Sequence, residues 1–443
     1  MEFISSVELK RRVQDGREYA VVQNPGFVWP AEEHYELAPK VRGGLDRLDG
    51  VLTDMDGTTT TTETLCVHAL ETMVRRITGR PTGAEWAGLD RAKDYPHIIG
   101  NSNTRHVEHL IDAYGRDIQA TAFVRAWLES AAWTLVNGRD PGRRGEVLMN
   151  MRARGWDRIL DTETAWRRLI GAGAFDAAAC GEVLDDLARR LAGRLTVEER
   201  VDRVRFGLDI YCHRYHEILG RVAEGAGDRL AQQLVGGWRL IEPMPGVGIF
   251  LALVKGWLGT AAGDLYDVLA AEMRHAAPPA REAGRTRLAA LGRRFAERPV
   301  RVGMVTASIR YEAEIVMNEV LRVIREQAAQ WPARAELAGR FGRIGDVYDA
   351  MVTASNSNEI RLKPHRDLYS IALNAIGISP AGFGRVAAFE DSAPGTVAVR
   401  AAGIGLCVAM PFSDSTGHDL TAAAWVLRDG LPEAILTHNL FLA

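Results

Sequence analysis

The sequence contains few cysteines, and their spacing excludes two common uses of this residue. Four cysteines occur among 443 residues, and no two of them form a Cys-x-x-Cys pair. Disulfide-stapled domains and structural zinc sites need cysteines that are more numerous or closer together. The pattern therefore argues against both kinds of site and favours a reducing compartment. The four positions are Cys66, Cys180, Cys212 and Cys407.

Long apolar runs and an excess of one charge are also missing. No segment approaches the ~20 consecutive apolar residues that a membrane span needs. The first residues lack the charged start and apolar stretch of a secretion signal. The formal net charge is −3, so no overall positive field favours nucleic acid. We expect a cytoplasmic protein without a membrane or nucleic-acid partner, and we interpret the Arg-rich residues 274–301 as a linker and a surface helix.

The composition is that of a globular chain, with 47% apolar and 25% charged residues. Its length of 443 residues predicts two or three domains. The most informative segment is Asp54-Met55-Asp56-Gly57-Thr58, which directly follows the apolar residues 50–53. Two carboxylates at this spacing can bring a nucleophile and a proton donor to one reacting centre. A plain surface turn is the alternative, whereas threonines at residues 60–62 disfavour a calcium loop.

Three later segments also place polar residues at the end of apolar runs or at the start of helical patterns. A threonine at the entrance of a helix, here Thr306, offers a hydroxyl and free N–H groups that suit a phosphate oxygen. Lys363, before Pro364, could hold a phosphate and orient a carboxylate. The adjacent acids Glu390 and Asp391 need a cation, and Mg²⁺ fits. Each has an ordinary alternative: a helix cap, a solvated lysine and a solvated acid pair.

Strand-like runs alternate with helical patterns around these residues. Strands are predicted at residues 50–54, 301–305, 385–390 and 405–410, and helices at 247–257, 311–326 and 394–402. This alternation predicts an α/β fold, a parallel sheet with helices on both faces. Ligands of such sheets bind beyond the carboxyl ends of the strands, where the polar residues fall. Residues 65–240 show apolar spacings of three and four and are predicted to be all-helical.

Together the segments resemble the four motifs of the haloacid dehalogenase-like (HAD) phosphotransferase superfamily, and residues 389–395 are similar to its beta-phosphoglucomutase-like members. The resemblance implies a Rossmann-like core made of residues 49–64 and 240–443, with a helical insertion at about 256–299. It further implies an enlarged helical cap domain at residues 65–239, after an N-terminal extension of residues 1–48. The matching residues are Asp54, Asp56, Gly57 and Thr58, then Thr306, then Lys363, then Glu390 and Asp391.

The resemblance also implies catalytic and binding roles. Asp54 would attack phosphorus and form an aspartyl-phosphate, and Asp56 would be the acid and base. Thr306, Ala307 and Lys363 would hold the phosphoryl oxygens. An acid at position 56 favours phosphoryl transfer over dehalogenation, which has no alkoxide to protonate. The implied Mg²⁺ ligands are Asp54, Asp56, Glu390 and Asp391.

The expected substrate is a small phosphorylated metabolite such as a sugar phosphate. A sugar-phosphate mutase is one alternative, and a non-catalytic protein that binds a phosphometabolite is another. In the cap, the polar residues 95–106 are predicted to meet the substrate, with Asn101 and Arg105 as contacts. A helix cap with exposed polar residues is the alternative there. Two sets of residues could bind a second metal: His106 with His109, and Cys212 with His213 and His216.

Overall fold

The computed structural model describes residue 13 and residues 16–24, 28–80, 86–234, 237, 239–332, 334–411 and 418–443. The chain divides into two compact units, one of Met1–Thr61 with Glu242–Ala443 and one of Thr62–Ile241. Part of the predicted N-terminal extension and residues 81–85 of the predicted cap lie outside the described residues. None of the described helices is both long and apolar enough to cross a membrane.

The unit Thr62–Ile241 is built from helices, and its described residues contain no strand. Its longest helix, Arg200–Ala223, buries residues at spacings of three and four, among them Phe206, Ile210 and Leu219. This spacing is that of an amphipathic helix packed on its neighbours. The helices are α1 Glu63–Thr78, α2 Tyr95–Ile98, α3 Asn103–Tyr114, α4 Ala120–Val136, α5 Pro141–Ala153, α6 Trp156–Asp161, α7 Thr164–Ile170, α8 Gly181–Leu191, α9 Arg200–Ala223 and α10 Gly227–Leu234.

The other unit contains a six-stranded sheet whose neighbouring strands are all parallel, in the order β5-β4-β3-β6-β7-β8. The predicted α/β fold class is therefore confirmed. In the two strands at the centre of the sheet, β3 and β6, every residue is buried. Continuous apolar strands of this kind belong to parallel sheets covered on both faces. The strands are β3 Gly50–Asp54, β4 Arg301–Val305, β5 Ala350–Val352, β6 Val386–Glu390, β7 Leu406–Ala409 and β8 Trp425–Val426.

Helices and short 3-10 turns connect these strands. The α-helices are α11 Val247–Val254, α12 Tyr266–Glu272, α13 Arg281–Glu297, α14 Arg310–Ala328, α15 Ile344–Val347, α16 Asp367–Ala375, α17 Ala393–Ala401 and α18 Gly430–Leu436. The Arg-rich stretch forms α13, which buries Leu288, Leu291 and Phe295 and exposes most of its arginines. It therefore packs one face on this unit.

A separate antiparallel hairpin precedes the sheet. Its strands are β1 Tyr19–Gln23 and β2 Glu32–Glu36, with Tyr19 opposite Glu36 and Gln23 opposite Glu32. Side chains alternate between the two faces of a strand, so Glu33 and Tyr35 share the inward face of β2. Tyr35, together with Val22, belongs to a small apolar cluster with Ala401 of α17.

Candidate active site

Asp54 is the last residue of β3 and lies at the carboxyl edge of the sheet, opposite Val305 of β4. Its side chain is almost fully buried. The chain then turns back on itself, because the N–H groups of Thr59 and Thr60 both donate to the Met55 carbonyl at 2.9 Å. The Thr59 hydroxyl donates to the Asp54 carbonyl oxygen. This tight turn fixes the direction of the two carboxylates of the first motif.

Gly57 is the residue in this turn that requires glycine. Its φ is +75°, in the region that side chains disfavour. A Cβ added to it would lie 2.8 Å from Cγ of Asp391. The Gly57 backbone therefore lies directly against the carboxylate of Asp391, the residue after β6.

Lys363 bridges two buried carboxylates. Its Nζ donates to Oδ1 of Asp54, and to Oε1 of Glu390 at 2.6 Å. The Lys363 side chain is 4% exposed and that of Glu390 is 0% exposed. Burial by itself lowers the pKa of Lys363, but the two carboxylates outweigh it and hold the pKa above its ordinary value. Lys363 is therefore a charged donor that stays at the Asp54 carboxylate.

The charge balance around Asp54 remains negative despite this lysine. Burial, and then the charge of Glu390, raise the pKa of Asp54 well above its ordinary value. Asp391 and Asp56 act in the same direction, whereas Lys363 opposes them. Neighbouring buried carboxylates repel one another, so a further positive charge is needed if all of them are to be ionised.

Glu390 is held by several hydroxyl and N–H groups. The Tyr369 hydroxyl and Lys363 both donate to Oε1, and the Ser392 hydroxyl donates to Oε2 at 3.2 Å. The Ser392 oxygen in turn accepts from the N–H of Gly395 at 3.2 Å, which caps α17. Ser392 thus caps α17 and also holds the Glu390 carboxylate.

Asp56 lies beside the second motif. Its Oδ2 accepts from the hydroxyl of Thr306 and from that of Ser308, each at 3.1 Å. The Thr306 oxygen also accepts from the N–H of Ser308 at 2.9 Å. Among the described residues, the N–H of Ala307 between them donates no hydrogen bond. The loop after β4 therefore orients Asp56 and presents a free N–H donor.

Three acids could hold a cation. One oxygen from each of Asp54, Glu390 and Asp391 lies within 4.8 Å of the others, and all three residues are buried. Carboxylate oxygens are the ligands that Mg²⁺ prefers. Lys363 contacts two of the three carboxylates, so a divalent cation would offset the remaining negative charge. Both oxygens of Glu390 already accept hydrogen bonds, from Lys363, Tyr369 and Ser392.

The structure thus brings the predicted residues of the α/β unit to one edge of its sheet. Hydrogen bonds join Lys363 to Asp54 and Thr306 to Asp56, and the acidic cluster adds Asp391. The predicted substrate contacts of the cap belong to the helical unit. Asn101 lies just before α3, where its side chain donates to the Ile99 carbonyl at 3.4 Å, and Arg105 is an exposed residue of α3.

The histidines and the cysteine of the helical unit have other surroundings. His109 pairs with Asp94 at 2.9 Å, and the His106 imidazole is buried, with Nδ1 3.9 Å from the Cys66 sulfur. Burial lowers the pKa of His106 to about 4. Over the described residues, the acidic cluster at the sheet edge is the one group of three potential metal ligands. Neither His106 with His109 nor the set at Cys212 therefore forms such a group.

Sequence reasoning missed two residues of the site, Ser308 and Tyr369. Ser308 follows Thr306 by two positions and resembled an ordinary helix cap, although α14 begins at Arg310. Tyr369 follows Lys363 by six positions, within a helical pattern of apolar residues. A buried tyrosine needs a hydrogen-bond partner for its hydroxyl. The sequence could therefore indicate that Tyr369 has a polar partner, but not that this partner is Glu390.

Comparison with known proteins gives structural similarities at low identity. No protein-family model matches the sequence, and no curated protein matches it. Crystal structures similar to the chain include CbbY from Rhodobacter sphaeroides in complex with phosphate, with a TM-score of 0.37 and 15% identity over 87% of this chain and 96% of that one. Another is beta-phosphoglucomutase from Clostridium difficile. Its TM-score is 0.36, with 10% identity over 86% of this chain and 90% of that one.

A third similar structure is a HAD family hydrolase from Deinococcus radiodurans R1 with bound phosphate and sodium. Its TM-score is 0.36, with 14% identity over 90% of this chain and 99% of that one.

Proposed function

We propose that the protein is a Mg²⁺-dependent phosphomonoester hydrolase that works through an aspartyl-phosphate on Asp54. The observation that carries this proposal is the pairing of two differently held carboxylates at one sheet edge. Asp54 is buried and receives the Lys363 ammonium, whereas Asp56 is half-buried and receives the hydroxyls of Thr306 and Ser308. Two neighbouring acids need different surroundings if one is to act as the nucleophile and the other as the general acid and base.

In the first step, an Asp54 carboxylate oxygen forms a bond to phosphorus and the bond from phosphorus to the ester oxygen breaks. Asp56 gives its proton to the leaving oxygen, so the alcohol departs neutral. In the second step, Asp56 takes a proton from water as the water oxygen attacks the phosphorus of the aspartyl-phosphate. Inorganic phosphate and the Asp54 carboxylate are released, and Asp56 is protonated again.

Other residues stabilise the charge that moves in these steps. Lys363 and the N–H of Ala307 donate to the phosphoryl oxygens, and Thr306 lines the same position. Asp54, Asp391 and the backbone carbonyl of Asp56 would hold Mg²⁺, with Glu390 beside them. When bound, the ion offsets the negative charge of a phosphate next to carboxylates.

The proposed substrate is a small phosphorylated metabolite, and a sugar phosphate is the class expected from the motif resemblance. The site contacts described above act on the phosphoryl group alone. They therefore support a phosphomonoester as the reacting group, and the rest of the substrate has to be found by experiment.

The test is phosphate release from a broad panel of phosphomonoesters, with Mg²⁺ and with EDTA. We expect release by the wild type that EDTA abolishes and that Asp54→Asn lacks. A matched control is Asp49→Asn, just before the opposite end of β3, where Asp49 pairs with Arg385 at 2.6 Å. This control should retain activity. Substantial turnover by Asp54→Asn would overturn the proposal, and binding of phosphate without turnover of any ester would favour a binding protein.

A further inference from the structure

The loop that carries Lys363 has no regular structure of its own. Residues 362–366 lie between a 3-10 turn at Glu359–Arg361 and helix α16, and they form neither helix nor strand. The ends of the loop are tied together, because the Arg361 guanidinium donates to both oxygens of Asp367 at 2.9 Å. Within it, the His365 N–H donates to the Leu362 carbonyl at 2.9 Å. The position of Lys363 thus depends on what holds the residues around it.

The N-terminal hairpin holds this loop at two points, on either side of Lys363. Before it, Arg361 donates to Oε1 of Glu33 at 2.6 Å. After it, Nδ1 of His365 lies 2.9 Å from the Tyr35 hydroxyl oxygen, with both side chains buried. The two contacts come from neighbouring inward positions of β2, so one strand makes both of them.

The contacts form a connected network and not two separate pairs. The Tyr35 hydroxyl donates to Oε2 of Glu33 at 2.7 Å. A phenol has one proton, and since a carboxylate has none to give, Nδ1 of His365 must be the donor in its bond to Tyr35. The Tyr35 hydrogen bond, with Arg361 adding to it, holds the pKa of Glu33 at about 2 despite the opposing effect of burial. Glu33 is therefore ionised at neutral pH.

Contacts beside the two strands also attach the hairpin to its unit. It is also fixed through Arg400 of α17, whose guanidinium donates to the Ala38 carbonyl and to Glu18. Arg400 is 1% exposed. The bonds made by Glu33 and Tyr35 are additional, and both go to the segment that presents Lys363.

We propose that the N-terminal hairpin is a positioning element for catalysis, in which Glu33 and Tyr35 hold the loop so that the Lys363 ammonium stays at Asp54. The proposal rests on the proposed function, because it assigns the hairpin to the lysine that contacts the phosphoryl group. Glu33 and Tyr35 touch neither Asp54 nor Glu390 and act through the loop alone. A small displacement of a catalytic group lowers the rate strongly, so loss of either bond should lower kcat by about tenfold.

The variants are Tyr35→Phe, which keeps the ring and removes the hydroxyl, and Glu33→Gln, which keeps the size and removes the charge. The control is Glu32→Gln, one residue away on the outward face, where Glu32 bonds to Gln23 at 3.1 Å. We expect kcat to fall in both variants, and the control to match the wild type. Melting temperatures identify any variant that fails to fold, and the other variant then carries the test.

A second readout separates positioning from a purely structural role. Binding of inorganic phosphate in Mg²⁺ is measured by calorimetry for Tyr35→Phe, Lys363→Ala and the double variant. If Tyr35 acts through Lys363, its substitution weakens binding in the wild type and changes nothing once Lys363 is absent. An equal effect in both backgrounds, or wild-type kcat in both hairpin variants, would overturn the inference. A wild type that neither binds phosphate nor releases it would instead contradict the proposed function.

Discussion

Replacing Lys363 by Met tests the electrostatics of the site on stability, independently of any substrate. Met has a similar length, but it removes the ammonium that lies between Asp54 and Glu390. Both carboxylates are nearly inaccessible to water, because Asp54 is 5% exposed and Glu390 is 0% exposed. Removing one partner of a buried ion pair costs about 3–5 kcal/mol, because the remaining charge has no compensation.

The cost should depend on pH in a defined direction. Burial and Glu390 already raise the pKa of Asp54 in the wild type, and Lys363 is the group that lowers it. Without Lys363 the pKa rises further. An acid whose pKa is higher in the folded than in the unfolded state loses stability as pH rises toward the folded value. The Lys363→Met variant should therefore be closest to the wild type in mild acid and furthest from it in mild alkali.

The assay is urea unfolding without Mg²⁺ at several pH values, followed by circular dichroism. Lys255→Met is the matched control, because the Lys255 ammonium pairs with Asp349 at 3.2 Å where both side chains are partly exposed. Pairs of that kind contribute at most about 1 kcal/mol. Equal losses in the two lysine variants, or a loss for Lys363→Met that does not vary with pH, would refute this account of the site.

Three further substitutions give separate expectations. Gly57→Ala should lower both melting temperature and activity, because φ is +75° there and a Cβ would meet the Asp391 carboxylate. Tyr369→Phe removes a hydrogen bond to the Glu390 carboxylate and should cost about 1.5–3 kcal/mol in urea unfolding. His106, whose pKa burial lowers to about 4, is neutral when folded, so stability should fall as pH drops below its ordinary value of 6.5. His106→Gln should reduce that fall in pH-dependent melting.

The central strands of the sheet could be predicted closely from the sequence. The predicted strands at residues 50–54 and 301–305 coincide with β3 and β4. Each is an apolar run followed by polar residues. A strand covered on both faces needs only apolar side chains, so such a run is enough to predict it. The sheet edge that carries the candidate site could be predicted from the same pattern, because parallel strands end together and so do the polar residues that follow them.

The short outer strands could not be predicted in the same way. β5 has three residues and β8 has two, at the two ends of the sheet. Strands of this length carry no periodicity, and pairing with a neighbour determines them. β2 was also missed, since Glu32–Glu36 contains three glutamates and is a strand only because β1 pairs with it.

Contacts distant in sequence were likewise beyond prediction. The chain places Tyr35 330 positions before its partner His365, and no local signal connects them. Tyr369 similarly required knowledge of where Glu390 lies. The candidate reacting groups could be predicted from residue type and position along each strand. The groups that hold them in place could be identified only from the folded structure.

The most direct measurement of the central claim is to trap the covalent intermediate. Wild-type protein is mixed with the best substrate of the panel in Mg²⁺, quenched in acid and reduced with borohydride, which converts an aspartyl-phosphate to homoserine. We expect mass spectrometry to find homoserine at position 54 in the wild type and no conversion without substrate. Turnover of that substrate with the modification at another residue, or with none at Asp54 under single-turnover conditions, would contradict the assignment of Asp54 as the nucleophile.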